Sequence, residues 1–274
     1  LVKKNNANQS NSGLERDYIT QWSYGIGETW TLLVPNTKGG ASVPMSANPI
    51  VQEKGNPELS YLYQQIGQYW GEQPGTSGPV YVGAFVLMLF ILGLFIVKGP
   101  MKWALLAATV LSVTLSWGKN MMWLTDLFID YMPLYAKFRT VASILVVAEF
   151  TIPLLAMLAL KKIIDEPEVL TQKIKYVYAS FGLTAGIALL FALMPSVFFG
   201  SFVSSDEIRA LSQFPPQQLN PILADLTAVR QAIFKADCWR SFWIILIGTA
   251  FLLLYKAKKL KAEYMIGALT RLCL

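Results

Sequence analysis

The 274-residue chain contains no histidine. Zinc hydrolysis and imidazole-based acid–base chemistry are therefore disfavoured within this segment. Cysteine is nearly as scarce. Cys238 precedes the last of the long apolar runs and Cys273 lies near the end of the chain; the two are not expected to pair, so no disulfide framework is expected. Charge is thin: 15% of residues, where a soluble domain carries about 25%. No phosphate-binding P-loop, Gly-x-Gly-x-x-Gly after a strand, Gly-x-Ser-x-Gly or Cys-x-x-Cys occurs. ATP-driven transport, dinucleotide redox chemistry and serine hydrolysis thus lack support. Transporter-type internal repeats are not evident.

Apolar sequence takes the place of these features. Hydrophobic residues make up 54% of the chain and the mean hydropathy is +0.44. Five apolar runs, at about 80–97, 103–118, 140–160, 176–197 and 239–255, alternate with lysine-bearing loops. Each is about long enough to cross a bilayer as a helix, the form in which a lipid-embedded backbone satisfies its own hydrogen bonds. The expected fold class is all-α: a polytopic helical membrane protein with about five full transmembrane helices and a partial sixth. The chain opens at Leu1 in a polar stretch and stops in the apolar run Glu263–Leu269, too short to span. That pattern is expected of an internal or truncated piece of a larger membrane protein, with 263–274 the start of a further span.

The net charge of +6 in a soluble protein would suggest nucleic acid. Here topology explains it better, and no nucleic-acid partner is expected. Lys98 and Lys102, then Lys161, Lys162, Lys173 and Lys175, then Lys256, Lys258, Lys259 and Lys261 fall on one side if all five runs cross. That side is the cytoplasm by the positive-inside rule. Residues 1–79, 119–139 and 198–238 then face outward. Trp103, Trp117, Tyr81, Trp239 and Tyr255 bracket the runs as interfacial aromatics do.

Residues 1–13 are expected to be mobile, and 14–34 to form an amphipathic segment ending at Pro35. Turns fall at Gly39-Gly40 and Gln73–Pro79, with a short helix at Pro57–Tyr63 between them. The rings of Trp22, Trp30, Tyr61, Tyr63, Tyr69 and Trp70 can stack on sugar faces or pack this loop onto the membrane. Further on, Ile222, Leu226, Val229 and Ile233 recur at helical spacing, with Asp225 and Arg230 off the stripe. This predicts an amphipathic helix lying on the outer leaflet, or a plain connector.

Several side chains can carry chemistry. Glu149 falls near the middle of the third run, where a carboxyl must be paired, protonated or facing water. Pro153, four residues on, should kink the helix and free the Glu149 carbonyl. The carboxyl is either a ligand or proton site or a protonated group bonded to a neighbouring helix. Lys119, Lys137 and Arg139 place cations at headgroup level, suited to a lipid phosphate or to simple anchoring. Asp126 and Asp130, spaced i and i+4, share one helix face and can bind a divalent metal, act as a base or be plainly solvated. Glu28 is similarly ambiguous.

The stretch Gln21–Asn36 (Gln-Trp-Ser-Tyr-Gly-Ile-Gly-Glu-Thr-Trp-Thr-Leu-Leu-Val-Pro-Asn) with Gly39-Gly40 resembles an outer-loop signature of the bacterial YfhO membrane-protein family, Bacteroidetes members above all. So does Trp117-Gly118-Lys119-Asn120 leading to Tyr131-Met132-Pro133-Leu134-Tyr135-Ala136-Lys137-Phe138-Arg139. The likeness runs from about residue 15 to the end. It implies a GT-C-type glycosyltransferase of the bacterial cytoplasmic membrane, using a polyprenyl-phosphate-linked sugar as donor on the outer face. The acceptor would be an envelope glycan or lipid, and membrane lipids are partners in any case. No cofactor is implied. The acid that GT-C enzymes carry in their first outer loop has no matching position here, so this segment would supply carrier-phosphate binding at Lys119, Lys137 and Arg139. The competing expectations are a lipid or sugar transporter with Glu149 as its coupling acid, and a non-catalytic scaffold of envelope biogenesis.

Overall fold

The computed structural model describes residues 14–137 and 140–273. The expected mobile segment 1–13 and Arg139 lie outside the described residues, as does the side chain of Cys273. Among the described residues the structure is helical, with one isolated β-bridge between Pro44 and Gly67 and no strands. Seven helices of ten residues or more organise it. They are α1 (Ala84–Ile96), α2 (Met101–Ser116), α3 (Met122–Tyr131), α4 (Val141–Asp165), α5 (Ile174–Leu193), α6 (Pro216–Lys256) and α7 (Ala262–Cys273).

Local chemistry sets the limits of these elements. Gly83 turns the chain into α1, and Gly99-Pro100 separates α1 from α2. Pro195 keeps Met194 out of helical geometry and ends α5 before the predicted limit at 197. α4 runs through Pro153 without interruption, so the expected opening does not break the element. A proline removes one backbone bond, and the turns on either side can hold the axis. α5 contains a wider π turn over Gly182–Gly186.

α4, α5 and α6 are long and apolar enough to cross a membrane. α2 and the segment Gly118–Tyr131 pass the same test only as a pair, and that pair is bent by 111°. α1 is apolar throughout but has 13 residues, about 20 Å of helix. The chain is thus a helical membrane protein by composition, with three such helices, or four if the bent pair is one span.

α1 and α2 both pack along α4, while α5 and α7 pack against α6. Gly93 allows the close approach of α1 to α4: a Cβ there would stand 3.0 Å from Leu155 Cγ. Thr109 of α2 and Thr151 of α4 share a buried hydroxyl pair at 2.7 Å.

Residues 14–83 and 198–235 form a cap over one end of this bundle, and here two expectations are corrected. Ile222, Leu226, Val229 and Ile233 do form one helical stripe, but they do not lie on a leaflet. They bury against Met45, Val51 and Tyr63 of the cap. The helix carrying them is the first half of α6, which continues without a break into the apolar run. Apolar cap residues offered a drier face than the membrane surface. Arg230, expected on the polar face, is 2% exposed. It donates to the carbonyls of Phe202 (3.0 Å) and Gly67 (2.8 Å) and forms a forked pair with Glu207. The aromatic rings of the cap divide: Tyr63 and Trp70 are buried, whereas Tyr61 and Trp30 are exposed.

Candidate functional site

The site is built where the first part of the cap meets the end of α2. After Ser116 the chain turns at Gly118, whose φ is +44°. A Cβ at Gly118 would stand 2.1 Å from Ser23 Oγ and 2.7 Å from Val141 Cγ2, so only glycine fits. The tight turn lets the Lys119 amide donate to Ser23 Oγ at 2.8 Å and Asn120 Nδ2 donate to the Tyr24 carbonyl at 3.1 Å. The Tyr24 amide donates to the Ser116 carbonyl at 2.8 Å, and Trp117 Nε1 donates to Thr29 Oγ1 at 2.9 Å. The structure therefore brings together the two stretches Gln21–Asn36 and Trp117–Asn120, which are far apart in sequence.

Glu28 is the centre of this junction. It lies in a 3-10 turn, Ile26–Leu32, that Gly25 opens. Its carboxylate accepts from the amides of Gly25 (3.1 Å) and Glu72 (2.7 Å), from the Tyr69 hydroxyl (2.9 Å) and from Gln73 Nε2 (3.5 Å). Glu28 is 2% exposed. Burial pushes its pKa up from the ordinary carboxyl value, and the donors only partly offset this. The same burial pushes the Lys38 ammonium down, with Glu28 and Glu72 opposing. That ammonium stands 3.8 Å from the centroid of the Trp70 ring, a cation–π contact. Glu28, Lys38 and Tyr69 line a hollow of about 10 Å³, room for one water molecule at most.

The open part of the cluster is Glu72. Its carboxylate accepts from Asn120 Nδ2 at 2.8 Å and pairs with Lys119 Nζ at 3.8 Å. Two of the sequence-predicted residues, Lys119 and Glu28, are thus joined through Glu72. The other described ones are elsewhere. Asp126 and Asp130 do share a face of α3, and both pair with Arg16, Asp130 at 2.7 Å. Among the described residues no group of three or more Asp, Glu, Cys or His side chains could hold a metal. Lys137 is exposed at the end of the turn Tyr135–Lys137 and makes no ion pair among the described residues. Glu149 precedes the midpoint of α4, residue 153, by one turn. It is exposed, with Ala148 buried beside it, and makes no hydrogen bond or ion pair among the described residues.

Beyond Glu149 on the same flank of α4, Pro153 and Met157 line an apolar cavity of about 250 Å³ with Phe85 and Leu89 of α1 and Leu269 of α7. Lys38 and Glu72 were missed from sequence, and Tyr69 was read there only as a stacking or packing ring. Glu28 three residues after Gly25 is a local capping signal, but nothing local points from it to residues 69–73. Comparison of the chain with protein-family models, curated proteins and solved structures finds no match.

Proposed function

We propose that the chain is part of a polytopic membrane enzyme that takes a sugar from a polyprenyl-phosphate carrier on the outer face of the membrane, in the manner of the GT-C enzymes its loop motifs resemble. One observation carries this reading. A single stretch of chain lines both a polar and an apolar recess: Gly78 and Pro79 border the Glu28–Lys38 hollow, and Phe85, Val86 and Leu89 border the apolar cavity. A polyprenyl carrier needs an apolar recess at bilayer depth, with cations where that recess meets water. In this reading α1, α2, α4, α5 and α6 all cross, the cap faces outward from the bacterial cytoplasmic membrane, and Lys119, Lys137 and Arg139 receive the carrier phosphate. Positive groups there stabilise the departing phosphate as its charge develops.

Binding of a polyprenyl-phosphate sugar to the detergent-solubilised protein tests this. Each charge-assisted contact contributes about 1.5–3 kcal/mol, so Lys119→Ala and Arg139→Ala should each weaken binding by roughly tenfold or more. Met157→Trp, which fills the apolar recess without touching a charge, should weaken it as well. Unchanged affinity in all three variants refutes the reading.

A second reading, transport of a lipid or sugar, is favoured by Glu149, an unpaired carboxyl one turn from the proline that lines the apolar cavity. Glu149→Gln would abolish proton-coupled flux in that case and leave carrier binding intact.

A further inference from the structure

The first half of α6 carries a second recess, on the flank of that helix beside the buried stripe. It has a volume of about 470 Å³ and is walled by Lys54, Gln231, Lys235 and Trp239. Its floor is Ala228, Ala232 and Ala236, whose small side chains leave the space open. No carboxylate lines it. Neither Lys54 nor Lys235 has an ion-pair partner among the described residues. Two acids of α6 are occupied elsewhere: Asp225 accepts from the Tyr63 hydroxyl, and Asp237 is held by Asn36 and faces Arg240 at 3.7 Å. Gln231 is steadied by a 2.9 Å bond from its Nε2 to Ser196 Oγ. Two unneutralised ammonium groups over an open floor make a recess complementary to an anion.

The surroundings specify which kind of anion. Gln231, Lys235, Trp239, Trp243 and Ile247 follow one another at i+4 along α6, so they form one helical ridge. Trp239, Trp243 and Ile247 are 39%, 52% and 42% exposed. The ridge thus passes from amide and ammonium, through two indoles, to a bare aliphatic side chain as α6 enters its apolar half. That order matches an amphiphile read from headgroup to acyl chain, with tryptophan at the interface between them. A free phosphate would use only the top of the ridge.

We propose that this recess binds the headgroup of a net-anionic membrane glycerophospholipid, with its acyl chain laid along Trp243 and Ile247. The site is separate from the Glu28–Glu72 cluster and does not depend on the transferase reading.

Native mass spectrometry of the protein in detergent, titrated with phosphatidylglycerol or phosphatidylcholine, tests the proposal. Each surface lysine contributes about fivefold to the affinity for an anionic lipid. The double variant Lys54→Gln/Lys235→Gln should therefore lose about 25-fold in phosphatidylglycerol retention and keep its phosphatidylcholine retention. Ala232→Trp, which fills the floor and keeps both charges, should lose phosphatidylglycerol too. A control pair, Lys258→Gln/Lys259→Gln, lies beyond the other end of α6 and should behave as wild type. The proposal fails if the Lys54/Lys235 variant retains phosphatidylglycerol, or if the control pair loses it equally. Displacement of phosphatidylglycerol by millimolar inorganic phosphate would overturn the lipid assignment in favour of a free anion.

Discussion

Removing the Arg230 guanidinium should separate the two halves of the cap. The residue is 2% exposed and has Glu207 as its ion-pair partner, whose side chain is 21% exposed. It also satisfies the Phe202 and Gly67 carbonyls. Those contacts tie three separate segments, around 67, around 202–207 and on α6, to one side chain. Arg230→Ala leaves a carboxylate without its partner, two carbonyls without a donor and a void. Breaking a buried pair by removing one member costs about 3–5 kcal/mol. Water can reach Glu207, so the lower end, about 3 kcal/mol, is expected. The double variant Arg230→Met/Glu207→Leu removes both charges and keeps the volume, and it should cost much less. Thermal unfolding in detergent, run as a double-mutant cycle, measures this. A loss under about 1 kcal/mol for Arg230→Ala, or strictly additive single effects, would refute the view that Arg230 holds the cap together.

Gly118→Ala should open the bend after α2, because its Cβ would stand 2.1 Å from Ser23 Oγ at a φ of +44°. A cost of about 1–3 kcal/mol and new proteolytic cleavage near Trp117 are expected. Glu28 has a folded pKa raised above its ordinary value of 4.5, so its contribution is fully present below that value and is lost as pH rises through the folded pKa. Glu28→Gln should therefore flatten the fall in wild-type stability above about pH 4.5, read from melting temperature against pH. Thr109→Val/Thr151→Val should cost only about 0.6 kcal/mol, the scale of a single hydroxyl bond between membrane helices, in a chemical-denaturation assay.

The bundle was legible because lipid-facing and core-facing positions are both apolar, so a helix inside it advertises itself as a continuous run. The cap was only half legible. The stripe Ile222–Ile233 shows its period in the sequence, but periodicity names a buried face and not what buries it. Arg230 lies off that stripe and reads like any solvated arginine. Its partners, Gly67 and Phe202, are 163 and 28 residues away, beyond any local pattern. Asp126 and Asp130 share a face as their spacing requires. Arg16, the cation that occupies them, is 110 residues from Asp126 and lies in a stretch where its charge has no evident purpose. Glu28 was visible as a carboxyl in an aromatic loop. Its burial follows from the Gly118 turn and the return of residues 69–73, neither of which leaves a mark near residue 28.

α6 has a mechanical consequence. At 41 residues it is a rod of about 60 Å, roughly twice the thickness of the hydrocarbon layer. One half is packed in the bundle against α5 and α7, and the other half is the spine of the cap. A rod shared in this way acts as a lever. A tilt of about 5° at its bundle end swings the far tip by about 5 Å. Thinning or thickening of the bilayer around the bundle would therefore be passed along α6 to the cap, and a force applied to the cap would be felt among the membrane helices through that one helix.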